Sequence, residues 1–149
     1  MSHCVSVDLT IDDLPALRAA CAELGLTWHE GQTTYKWYGS SVGDYPLPAG
    51  FTADMLGKCQ HAISVPGAEY QIGVVKNPIG AGYKLLFDFW GSREGQPIIK
   101  RLGGEDLPKL KQFYGVNRAQ TVARRQGLQT QRVLSANGSV KLVITGRTL

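Results

Sequence analysis

At 149 residues, with 43% hydrophobic and 19% charged residues, the chain has the size and composition of one soluble globular domain with a real core. No run of eighteen apolar residues occurs, which excludes a transmembrane helix. The net charge of +4 divides unevenly. Residues 1–75 carry three basic side chains against eight acidic ones, a net −5, whereas residues 76–149 carry thirteen against four, a net +9. No acid follows Asp106, so an anionic partner is expected for the C-terminal third, with a merely solvated surface as the alternative. The opening MSHCVSVDLT lacks the basic-then-apolar pattern of a secretory signal. Cys4, Cys21 and Cys59 are too few and too widely spaced for a disulfide framework, and a reducing cytoplasm is the expected location.

Val5–Leu9 alternates apolar and polar residues and predicts a first strand. Asp12 or Asp13 then caps a helix with Pro15 in its first turn. Leu14, Leu17, Cys21 and Leu24 share its apolar face, and Gly25 followed by Leu26 closes it. Residues 27–38 are aromatic and hold one or two short strands. Residues 39–60 are rich in Gly and Pro and predict a long loop with one helical turn near Thr52–Leu56. His61–Val65 reads as a strand.

Tyr70–Gly91 is the most strand-like part of the chain. Tyr70–Val75 and Tyr83–Trp90 flank the turn-forming NPIGAG. Their near-continuous apolarity predicts central strands covered on both faces, with Leu85, Phe87 and Phe89 on one side and Leu86, Asp88 and Trp90 on the other. Residues 92–104 read as a linker. A second helix is expected from Glu105 or Asp106, its apolar face running through Leu107, Leu110 and Tyr114. At Gly115 the stripe shifts to Val116, Ala119, Val122 and Ala123, which predicts a bend or break there. Gly127 ends this helix, and residues 128–146 form a hairpin with Asn137–Gly138 at its turn. The expected architecture is a single α+β domain, a mainly antiparallel sheet with two main helices on one face. The pentapeptides DLPAL (13–17) and DLPKL (106–110) suggest two related strand–helix–strand halves.

The ordered set MSH, HAISVPGAEYQIGVV, FDFWG, ARRQG and NGSVKLVI resembles a conserved-reading-frame family of unknown function found in plastid and cyanobacterial genomes and in bacteriophages. The likeness covers nearly the whole chain and is weakest over residues 30–57. In that family's pattern Gln112 and Tyr114 form a QxY segment, and a His found shortly after the Tyr is replaced here near Asn117. The resemblance implies a compact cytosolic protein, encoded by a phage in its closer form, and supplies no reaction. Sequestering a host signalling nucleotide would suit such a setting.

The chemistry-bearing residues favour binding over catalysis. His3, Cys4, Cys59 and His61 are metal-ligand types, but no CxxC or HxxxH pair occurs, so neither metal nor cofactor is expected. Cys59 and His61 are the one local Cys/His couple, a weak signal for a catalytic dyad. NPIGAG matches no phosphate-binding fingerprint and reads as a plain turn. Asp88, among Phe87, Phe89 and Trp90, needs either a basic structural partner from the second helix or a role towards a ligand. Lys109, Lys111, Arg118, Arg124, Arg125 and Arg132 make a basic face suited to phosphates, and Trp37 could stack on a base. The expected function is therefore a non-catalytic binding protein for an anionic partner, a nucleotide-type molecule or a nucleic acid. The alternative is an adaptor or inhibitor of a host or phage protein that uses the aromatic 30–57 segment, with a small enzyme as the third reading.

Overall fold

The computed structural model describes residues 2–41, 43 and 45–147. The domain is α+β. Strands β1 (Cys4–Ser6), β2 (Thr27–His29), β3 (His61–Ser64), β4 (Gln71–Lys76) and β5 (Tyr83–Asp88) form an antiparallel sheet in the order β1-β5-β4-β3-β2. Helices α1 (Leu14–Glu23), α2 (Gln96–Leu102) and α3 (Pro108–Arg125) all cover one face of it. Strands β6 (Leu128–Leu134) and β7 (Val140–Arg147) pair only with each other, as a two-stranded ribbon on α3.

Local signals build α1. The Asp13 carboxylate accepts the Ala16 N–H at 3.0 Å, and Pro15 sits at the start, where its missing N–H costs nothing. At the other end Leu26 N–H donates to the Cys21 carbonyl and Gly25 N–H to that of Ala22, the paired bonds of a Schellman motif, with Gly25 left-handed at φ 73°. Ala16, Leu17, Ala20 and Cys21 are buried against the sheet.

The β4–β5 hairpin is the centre of the sheet, and both of its faces are buried. Ile72, Val74, Leu85 and Phe87 meet the helices. Val75 and Leu86 belong to a second, smaller core on the opposite face, formed with Cys4, Tyr35, Phe51, Leu56, Cys59 and Ala62. Among the described residues no α-helix covers that side, only a single 3-10 turn at Ala53–Met55. The cover is the segment between β2 and β3, whose Tyr35 ring lies flat over Gly73.

Three expectations are corrected. Residues 92–104 are not a linker: a π-helical turn (Gly91–Gly95) leads into α2. Ile98 and Leu102, one turn apart, are both fully buried, Pro97 fits the first turn, and Gly103 supplies a left-handed cap. Seven residues with one apolar pair carry too short a period to stand out in sequence. The second helix starts at Pro108, not at Glu105 or Asp106, because the Asp106 carboxylate is used elsewhere. It accepts the Asp8 N–H at 2.8 Å and pairs with Lys111, leaving Leu107 as a left-handed, fully buried cap residue. The two DLPxL pentapeptides therefore do different work. Finally, α3 runs unbroken through Gly115. Leu110 and Tyr114 face the main core, whereas Gln112 and Gln120 bond to the ribbon, so the shift of stripe marks a change of neighbour. Val116 and Ala123 are buried, while Ala119 and Val122 are exposed.

Gly73 has no room for a side chain: a Cβ there would lie 2.3 Å from Tyr35 Cδ1. Gly73→Ala is expected to lower stability by about 2 kcal/mol through overpacking. Urea unfolding would measure it, and a cost near zero would mean that the ring does not hold this position.

Candidate functional site

The second face of the sheet carries a row of polar residues. Thr27, Ser64 and Gln71 are cross-strand neighbours, and Asp88 faces Cys4 at the other edge. Gln71 and Asp88 are buried, Asp88 completely. Their partners are main-chain groups. Asp88 Oδ1 accepts the N–H of His3 and of Trp90, each at 2.9 Å, and Oδ2 accepts the Tyr38 N–H at 3.1 Å. Gln71 Oε1 accepts the Lys36 N–H at 3.0 Å, and the Gln71 N–H donates to the Lys36 carbonyl at 2.9 Å. A strap through residues 35–38 thus crosses the sheet, held by side-chain acceptors at alternate residues. The basic partner expected for Asp88 is absent among the described residues; oriented amide dipoles do its work.

Residues 51–60 of the loop after the strap, with the end of β4 and the turn that follows it, form an apolar trough of about 300 Å³ on this face. Phe51, Cys59 and Val75 are its buried floor, and Met55 and Pro78 its exposed walls. Lys58 and Lys76 also line it, both exposed, and neither ammonium makes a hydrogen bond or ion pair among the described residues. Among the described residues no acid lines the trough. The Asp54 carboxyl is held below its usual range chiefly by the Thr52 hydroxyl, with Lys58 the smallest influence. The Cys59 thiol donates to the Gln32 carbonyl at 3.1 Å, and burial pushes its pKa up to about 11. It is a protonated wall group, not a nucleophile. Burial likewise pushes Cys4 and Cys21 up to about 12, and no cluster of three metal-ligand side chains occurs among the described residues.

The residues singled out in the sequence do not converge on one place. Trp37 lies in the strap, half-buried, packed so closely over Gly57 that a Cβ there would meet its indole Nε1 at 2.2 Å. It lines an open cleft with Tyr35 and Tyr70. On the helical side, Arg118 grips Asp12 with both nitrogens, at 2.6 and 2.7 Å, and Tyr114 donates to the same carboxylate at 2.9 Å. Arg132 holds Glu23 in the same bidentate way and also donates to Gln120. Lys111 is paired with Asp106. Arg124 reaches only its own helix, at the Gln120 carbonyl. Arg125 has no partner among the described residues and shares a cleft with Arg118, Asp12, Asp13 and Tyr83. Lys109 lines a separate hollow between α3 and the ribbon turn.

Sequence reasoning passed over Lys58, Lys76, Phe51 and Met55. The one hint was Lys58, the single basic residue in the Gly/Pro-rich stretch 39–60. A Ser–His contact was also unforeseen: Ser64 Oγ accepts from Gln71 Nε2 and lies 2.7 Å from His29 Nε2. No carboxylate orients His29 among the described residues, and the pair extends the polar row beneath the strap.

Two measurements test these placements. Asp88→Asn keeps the shape but turns one acceptor into a donor facing an N–H, so stability to urea should fall by about 1–3 kcal/mol. For the surface pair, Arg118 and Tyr114 hold Asp12 down from 3.8 to about 2. A depressed carboxylate stabilises the fold above its unfolded value, so the advantage of the natural protein over Asp12→Asn should be full above about 3.8 and lost as pH falls through about 2. Thermal unfolding across that window should show the two curves converge; parallel curves would contradict the pairing.

Comparison with protein-family models, with curated proteins and with solved structures gives no match.

Proposed function

We propose that this chain is a non-catalytic binding protein for a small anionic ligand, taken up in the trough with its charge between Lys58 and Lys76. The observation that carries this reading is a pair of cations that, among the described residues, have no ionic partner and stand beside an apolar lining with no acid in it. Apolar walls with a few placed polar groups are the usual make-up of small-molecule sites. Their charge attracts an anion, while exclusion of water by Phe51, Met55 and Val75 strengthens the attraction.

A polyanion such as nucleic acid is the weaker form of this reading. It would draw on many free cations along one face, yet Arg118, Arg132 and Lys111 are each engaged by a carboxylate. Binding is favoured over catalysis because the trough's thiol is held protonated and its lining offers no acid–base pair. The nucleotide-type ligand that the family resemblance brings to mind is one member of the anion class and belongs in the test.

Thermal unfolding with a panel of mononucleotides, cyclic dinucleotides and small carboxylates should give a saturable rise in Tm for at least one anion. Lys58→Gln combined with Lys76→Gln should remove that rise while leaving the unliganded Tm close to its natural value. If no anion raises Tm, or if the rise survives in the double variant, the proposal is wrong.

A further inference from the structure

Resting on the anion-binding reading above, we infer that the trough selects an amphipathic monoanion, a single carboxylate-type head on an apolar body, and discriminates against nucleotides. The lining has already committed its neutral polar groups. Asn77 donates from Nδ2 to the Ala81 carbonyl at 3.2 Å and accepts the Ile79 N–H at Oδ1. Gln60 Oε1 accepts the Lys76 N–H at 2.8 Å, and the Cys59 thiol faces Gln32. The charged groups left over are the ammoniums of Lys58 and Lys76, with the amide nitrogens of Gln60 and Asn77 beside them as further donors, while the amide oxygens of Gln60 and Asn77 each already accept a main-chain N–H.

A lining whose free side-chain charge lies entirely on donors fits a head group made of acceptors alone, which is what a carboxylate is. A nucleobase presents donors as well as acceptors along its edge. Its amino or ring N–H groups would meet Phe51, Met55, Val75 and Pro78 with no side-chain acceptor among them, and each buried unmatched group costs about 1–3 kcal/mol. An alkyl or simple aromatic body carries no such penalty and gains from leaving water. Met55 suits it further: its flexible thioether, 37% exposed, can repack on bodies of different outline. A space of about 300 Å³ lies at the small end of ligand sites, so the body is of medium length.

Isothermal titration with decanoate below its micelle concentration tests this, with decanol as the uncharged body and AMP as the charged ligand without one. Decanoate should bind saturably with a negative heat-capacity change. Decanol should bind at least about tenfold more weakly, as should decanoate to the Lys58→Gln/Lys76→Gln variant. Met55→Asp, which puts an acid in the wall, should weaken decanoate as well. Leu134→Ser, on the exposed ribbon, should change nothing and so separates binding from adsorption. AMP bound through the two lysines without decanoate would overturn this inference and leave the anion-binding reading standing. Decanoate binding that ignores the lysine and Met55 variants would overturn it too. If no anion binds through the two lysines, both fall.

Discussion

A buried carboxylate that has no counter-ion among the described residues organises the side of the sheet away from the three α-helices. Asp88 is wholly buried and is saturated by the N–H groups of His3, Tyr38 and Trp90, three points far apart in the chain. Desolvating such a charge is tolerable only where oriented dipoles replace water. Each bond therefore places a stretch of backbone: the N-terminal strand, the strap and the entry to the π-helical turn. Gln71 repeats the device one strand away through Lys36. Remove these acceptors and the strap has nothing to hold it on the sheet. The Tyr35 ring and the 39–60 segment would lose the floor they pack on, and the trough would lose a wall.

The uneven charge of the two halves of the sequence also takes on a different meaning in three dimensions. Acids of the N-terminal half meet bases of the C-terminal half across the helical layer, Asp12 with Arg118 and Glu23 with Arg132. Both pairs join α1 to α3 or to the ribbon that α3 carries. Ordinary surface ion pairs contribute little, but bidentate geometry on a shared network fixes orientation. Part of what reads as a basic face for a partner is thus an internal seam. Lys58 and Lys76 line the trough instead, where Asp54 acts only weakly on Lys58 and no carboxylate pairs with either lysine among the described residues.

Function, on this view, follows from how the second face is covered. A helix laid there would have filled the space with its own side chains. A strap and an irregular loop cover it incompletely, and the gap between Phe51, Met55 and the end of β4 is the trough.

How much of this was legible in the sequence varies with the range of the forces involved. The helix α1, with its Asp13 cap and Gly25–Leu26 closure, and the β4–β5 hairpin with two buried faces could be read from the residues. Capping bonds and side-chain periodicity act within a few residues of one another. The α+β class followed from their order. Tertiary contacts alone made α2, whose single apolar pair needs the core to show it, and moved the start of α3 by drawing Asp106 away to Asp8. Asp88 was legible as an anomaly, but not its solution, because a main-chain N–H is present at every non-proline residue and leaves no mark in a sequence. The trough was invisible for a related reason. Lys58 and Lys76 acquire meaning only when a loop folds back over a sheet, and that approach is decided by Gly73, Tyr35 and the buried acceptors together.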